Sequence, residues 1–140
     1  MKKLQPMFNS VPTSVGRHCI LELYECPKHL LDDQPFIQTT LRKAALIAKS
    51  TLLGELSHKF DPQGVTALVL LAESHISIHT WPEAGYAAVD VFTCGEHTLP
   101  EEASEYIALA LESGRHSLST LPRSGPQNAI VPDAMLSLAV

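Results

Sequence analysis

The segment from His75 to Trp81 alternates strictly, with Ile76 and Ile78 on one side of an extended chain and His75, Ser77, His79 and Trp81 on the other. A period of two predicts a strand with one apolar face and one polar, aromatic face. Its neighbours read the same way. Gly64–Leu71 is a nearly continuous apolar run whose β-branched and Leu content suits burial on both faces, and Tyr86–Thr93 is a third strand. Pro82-Glu-Ala-Gly85 has the length of a short hairpin loop, so the His75 and Tyr86 strands are expected to pair antiparallel. His18–Tyr24, Thr51–Leu56 and His116–Leu121 complete about six strands, with a turn at Pro62-Gln-Gly64. Apolar residues at helical spacing (Phe36, Ile37, Leu41, Ala44, Ala45, Ala48) predict a helix over 35–49, with Asp32 and Asp33 as N-cap candidates. Thr98 with Glu101 three residues on reads as a capping box for a second helix through Tyr106, Leu109 and Ala110, with Gly114 as its stop. The tail from Pro122 is expected to be loose.

Two helices cover only one face of a sheet that wide. The expected fold class is therefore α/β (α+β): a two-layer sandwich, mostly antiparallel, with helices on one face. The uncovered polar face either meets water or meets the same face of a second copy and encloses a site between them. With 140 residues, 45% hydrophobic and 18% charged, the chain is expected to form one domain, 1–140, around one core. A formal charge of −5, with ten Lys and Arg spread singly, offers no stripe for a phosphate backbone, so nucleic acid is not an expected partner. The start of the chain lacks an apolar signal region and no apolar run reaches membrane-spanning length, so no membrane association and a cytoplasmic location are expected. Cys19, Cys26 and Cys94 form an odd set without a CxxC pair, which fits a reducing compartment.

Between Ala72 and Gly95 the chain concentrates reactive side chains: Ser74, His75, His79, Glu83, Asp90 and Cys94. A serine hydrolase is one reading, but there is no G-x-S-x-G elbow. Zinc bound by His75, His79, Cys94 and His97 is a second. Four residues along a strand, however, separate the two histidines by roughly 13 Å, against ligand bonds near ~2 Å. The third begins at Glu73-Ser74, where the serine hydroxyl attacks the preceding carbonyl and turns the amide into an ester. A base then removes the serine α-proton, elimination breaks the chain and leaves a dehydroalanine on the new N-terminus, and its hydrolysis releases ammonia and leaves a pyruvoyl ketone. That ketone forms a Schiff base with a substrate amine and acts as an electron sink, which suits decarboxylation. Residue chemistry alone leaves these three open.

The run Ala72–Gly95 closely resembles the signature of prokaryotic S-adenosylmethionine decarboxylase proenzymes. The likeness extends to Gly16-Arg-His18, His58-Lys-Phe60 and Pro62-Gln-Gly-Val65, and so over about Gly16 to Leu121. The resemblance implies self-cleavage between Glu73 and Ser74 into a β chain, 1–73, and an α chain, 74–140, that begins with the pyruvoyl group. Neither pyridoxal phosphate nor a metal is then required, and no lysine follows Lys59 in the chain. It implies His79 as the base in processing and Cys94 as the acid in catalysis, roles that imidazole and thiol chemistry suit. Phe60 and Trp81 are expected to lie on the adenine or sulfonium of the substrate, and Glu83 to bind ribose hydroxyls. Thr66, His75 and Ser77 are expected to support the site. Thr66 stands where many relatives carry serine, and Ala84 where many carry tyrosine. The implied reaction converts S-adenosyl-L-methionine to S-adenosyl 3-(methylthio)propylamine for spermidine synthesis. The implied assembly is a homo-oligomer, (αβ)2, joined sheet to sheet in four αββα layers. The alternatives are a pyruvoyl decarboxylase of the same fold acting on ornithine or arginine, and a non-enzymatic dimer that binds an adenine nucleotide.

Overall fold

The computed structural model describes residues 15–126. Six strands form one antiparallel sheet: β1 (Gly16–Tyr24), β2 (Leu52–Lys59), β3 (Val65–Leu71), β4 (Ser74–Trp81), β5 (Tyr86–Cys94) and β6 (Arg115–Arg123). Their order is β2-β3-β4-β5-β1-β6. The middle of the chain is a meander, and β1 is inserted between β5 and the last strand. Helices α1 (Lys28–Leu31), α2 (Gln34–Ile47) and α3 (Pro100–Ala110) lie on one face. The expected two-layer sandwich is therefore the observed one.

Alternation decides which face each residue takes. Ile76 and Ile78 of β4, Val89 and Val91 of β5, Leu21 and Leu23 of β1, and Val65, Ala67 and Val69 of β3 are buried beneath Ile37, Leu41 and Ala44 of α2 and Ile107 of α3. Each large side chain fully buried there contributes about 1.5–3 kcal/mol relative to exposure. Helix α2 starts as expected at Asp33, whose carboxylate accepts the Phe36 amide at 3.0 Å.

Several expectations are corrected. The β3 run is buried on one face only: Leu68 and Leu70, with Leu56 of β2 and Leu121 of β6, are exposed on the side away from the helices. An all-apolar run signals two covered faces, and this layer covers one. Thr98 does not cap α3. The helix begins at Pro100 with Leu99 as N-cap, while the buried Thr98 hydroxyl bonds Thr93 and the Gly95 carbonyl. Glu101 pairs instead with Arg17 at 3.4 Å. The left-handed residue after α3 is Glu112 (φ 50°), not Gly114. Pro122 and Arg123 belong to β6, whose amide-free Pro122 is tolerated because β6 is an edge strand. The rest of the tail expected to be loose lies, from residue 127 on, outside the described residues. Among the described residues no helix is long and apolar enough to cross a membrane.

Candidate active site

Leu71 pairs with Ser74, which leaves Ala72 and Glu73 alone to turn β3 into β4. Glu73 takes a left-handed conformation, φ 62°, without being glycine. That costs on the order of 1–3 kcal/mol, which the surrounding sheet must offset. The peptide bond between this strained residue and Ser74 is the expected scissile bond. Ser74 is buried, and its hydroxyl donates to the Ala72 carbonyl at 3.2 Å. The Glu73 carbonyl accepts the Cys94 thiol at 2.8 Å. Glu73, Ser74 and Cys94 are thus brought together although Cys94 is 20 residues from Ser74 in sequence, because β4 and β5 are adjacent and antiparallel.

Cys94 is only partly buried, yet its thiol is held above its ordinary pKa, first by desolvation and then by the Glu73 carboxylate. It is therefore a protonated donor at neutral pH. A cavity of about 540 Å³ opens beside it, lined by Val15, Gly16, Arg17, Glu73, Cys94 and His97.

The opposite end of β4 carries a second cluster on the open sheet face. Thr66 Oγ1 and His79 Nδ1 share a hydrogen bond of 2.9 Å across β3 and β4. Trp81 follows on the same face, its ring 5.2 Å from that of Tyr86, which in turn lies 5.6 Å from Tyr24. Tyr86 donates to the Glu22 carboxylate, and this bond, with burial, pushes its pKa up to about 12. Phe60 stands at the end of β2, 47% exposed, with the His58 ring at 4.6 Å. Glu83 is exposed in the 3-10 turn Pro82–Ala84 after Trp81. Between the two clusters, His75 lies 6.0 Å from the Phe92 ring, and Ser77 sits opposite Asp90.

His79 and Ser74 are not brought together within one chain. Five strand steps put their backbones roughly 16 Å apart, and the two side chains leave opposite faces of β4. The zinc reading also finds no support in the geometry: among the described residues no group of three or more His, Cys, Asp or Glu is gathered to hold a metal ion.

The family model described as S-adenosylmethionine decarboxylase matches residues 17–124. The chain belongs to the S-adenosylmethionine decarboxylase family. It is 59% identical over 112 residues to the S-adenosylmethionine decarboxylase proenzyme of Synechococcus sp. strain WH7803, covering 80% of this chain and 88% of that one. It is 59% identical over 88 residues to the proenzyme of the same name from Methanococcus vannielii, covering 63% and 72%. The crystal structure of the adenosylmethionine decarboxylase from Aquifex aeolicus superposes with a TM-score of 0.76 at 34% identity, over 85% of this chain and 98% of that one. The S-adenosylmethionine decarboxylase match takes in all of the expected site residues, from Phe60 to Cys94. Two residues of the open face went unremarked in the sequence. Tyr86 and Glu22 both lie on the polar side by alternation, but only the pairing of β5 with β1 shows that they meet. Asp32, one of the two cap candidates, instead binds the Gly64 amide and the Lys59 ammonium.

Proposed function

We propose that the chain cleaves itself between Glu73 and Ser74 and then, as its family's enzymes are named for doing, decarboxylates S-adenosylmethionine, the product serving spermidine synthesis. The observation that carries this reading is the Cys94 thiol on the Glu73 carbonyl. A donor at that oxygen polarises the carbonyl that the Ser74 hydroxyl must attack, and the charge that develops there is stabilised where it forms. The left-handed Glu73 sharpens the turn and loads the scissile peptide with strain that cleavage releases.

The residues at this turn fit a ketone made from Ser74, since it would emerge at the start of a rigid strand beside a protonated thiol. The pyruvoyl group supplies an electrophilic carbonyl that holds the substrate amine and draws off the electron pair freed by loss of CO₂. Cys94 then has the proton to return to the substrate carbon, because its environment disfavours the thiolate. Phe60 and Trp81 provide aromatic faces for the purine and the sulfonium, Tyr86 supports the Trp81 ring, and Glu83 in the next turn is free to accept ribose hydroxyls. His75 and Ser77 line the face between the two clusters.

The base that takes the Ser74 α-proton is assigned to His79, oriented by Thr66. A separation of roughly 16 Å along β4 requires that it come from a second copy. Two open faces packed sheet to sheet, with strands running oppositely, bring the His79 end of one copy onto the Ser74 end of the other. The exposed Leu56, Leu68, Leu70, Trp81 and Leu121 make that face the apolar patch such a contact needs. The functional unit in this reading is (αβ)2 with four αββα layers, from one domain cut into 1–73 and 74–140.

The test is release of labelled CO₂ from carboxyl-labelled S-adenosylmethionine, ornithine and arginine in parallel. Release from S-adenosylmethionine alone, abolished by phenylhydrazine, is expected. Release from either other amino acid in its place would overturn the substrate assignment, and binding of adenine nucleotides without any release would overturn the enzyme.

A further inference from the structure

The short helix α1 was not anticipated in the sequence, and it sits where both halves of the proposed aromatic platform are anchored. On one side the Cys26 amide donates to the Gly85 carbonyl at 3.0 Å, at the end of the turn that carries Trp81 and Glu83. Gly85 is left-handed (φ 62°), and a Cβ there would lie 3.2 Å from the Cys26 carbonyl oxygen. The two segments therefore close on each other with no room to spare.

On the other side is Asp32, the residue that ends α1. Its neighbour Asp33 caps α2, so Asp32 is free of that duty. The Asp32 carboxylate accepts the Gly64 amide at 2.9 Å and the Lys59 ammonium at 2.7 Å, and Lys59 also reaches the Asp32 carbonyl. Gly64 in turn accepts the Phe60 amide at 2.8 Å. Lys59, Phe60 and Gly64 are the base of the loop between β2 and β3, and Phe60 is its aromatic member. The Lys59 and Gly64 hydrogen bonds hold the Asp32 carboxyl below the ordinary carboxylate range, so the anion is the form present at neutral pH. One buried knot completes the bracket: the Thr80 hydroxyl accepts the Val65 amide and donates to the Leu31 carbonyl, each at 2.8 Å.

We propose that Asp32 is a positioning residue for the substrate: by tying Gly64 and Lys59 to the end of α1, it fixes the backbone from which the Phe60 ring is presented. This rests on the reading of Phe60 as a substrate contact. Asp32 touches neither Ser74 nor Cys94, so its effect falls on substrate affinity and not on bond-making. Phe60 is 47% exposed, with the His58 ring as its aromatic neighbour, so its presentation depends on how the loop backbone is held. Without the clamp, the ring must be ordered at the moment of binding, and affinity drops by that ordering cost.

The experiment is a double-mutant cycle on the self-cleaved protein, with Asp32→Ala, Phe60→Ala and the pair, reading KM and kcat for S-adenosylmethionine by CO₂ release. Asp32→Ala is expected to raise KM about tenfold, the factor given by ~1.4 kcal/mol, with kcat within about twofold of the parent. Asp32→Asn, which keeps an acceptor for the Gly64 amide, should recover part of the loss. In the Phe60→Ala background Asp32→Ala should add nothing. Full additivity of the two, or an unchanged KM in Asp32→Ala, would overturn the positioning role. An unchanged KM in Phe60→Ala would instead overturn the reading of Phe60 on which it rests. Should Asp32→Ala not fold, Lys59→Gln loosens the same clamp from its exposed side. A KM that rises in Lys59→Gln but does not change when Lys59→Gln is added to Phe60→Ala upholds the proposal; an unmoved KM in Lys59→Gln, or an equal rise in both backgrounds, refutes it.

Discussion

Thr80→Val is the sharpest test of how the two loops at the aromatic end are held. The substitution keeps shape and removes one oxygen from a site that is 7% exposed. That oxygen accepts the Val65 amide and donates to the Leu31 carbonyl, so its loss strands two backbone groups where water has little access. A buried polar group left unpaired costs about 1–3 kcal/mol. Two stranded groups thus predict a loss of about 2–6 kcal/mol in all. For a chain of 140 residues each ~1 kcal/mol moves Tm by about 4 °C, so a fall of roughly 8 °C or more is expected. The assay is urea unfolding followed by circular dichroism on an uncleaved Ser74→Ala background, at one fixed protein concentration so that any association is held constant. Thr80→Ser, which keeps the hydroxyl, should lose far less. A Thr80→Val loss under about 0.5 kcal/mol, the size of an ordinary surface change, would refute the idea that this hydroxyl ties α1 to the sheet.

Three further outcomes follow from the site. His79→Ala should fail to cleave, and so should Ser74→Ala; co-expressing the two should restore cleavage of the His79→Ala chain, because its Ser74 meets an intact His79 across the interface, and absence of rescue would refute the shared site. Decarboxylation that needs the Cys94 proton is present below the raised thiol pKa and lost as pH rises through it, so activity should decline only above about 9.0, the ordinary thiol value; in Cys94→Ser that alkaline limb should vanish and the rate drop by about 10²–10⁴. Asp32 has a folded pKa below its unfolded value of 3.8, so its stabilisation is present above that value and lost as pH falls through the folded one. Asp32→Asn should therefore flatten acid unfolding below about pH 4 as followed by fluorescence of Trp81.

The sheet was legible because alternation is a local property. Ile76 and Ile78 opposite His75, Ser77 and His79 could be read from eight residues, and the burial of β4 follows that reading. The β3 run misled because Leu68 and Leu70 are apolar on a face that no element of the same chain covers. The capping box at Thr98 failed for a tertiary reason: its hydroxyl is drawn to Thr93 on the neighbouring strand, which no spacing rule contains. Helix α1 is a single turn, too short for periodicity to announce. For the site, residue types and motif pointed to Ser74, His79 and Cys94, yet only pairing of β4 with β5 brings Cys94 to the Glu73 carbonyl. The extension of β4 itself separates His79 from Ser74 in one chain, and alternation sends their side chains to opposite faces. Of the two cap candidates Asp33 takes the cap, and the role of Asp32 is not legible because the Gly64 amide it binds is 32 residues away in sequence.

The most direct test of self-cleavage at Glu73-Ser74 is the intact mass of the purified protein under denaturing conditions, beside a Ser74→Ala control. Division of the 15.2 kDa chain at that bond predicts fragments of about 8 and about 7 kDa, the smaller starting with a hydrazine-reactive carbonyl in place of an amine, and a single uncut chain in the control. An uncut parent after prolonged incubation, or cutting that persists in Ser74→Ala, would contradict the account.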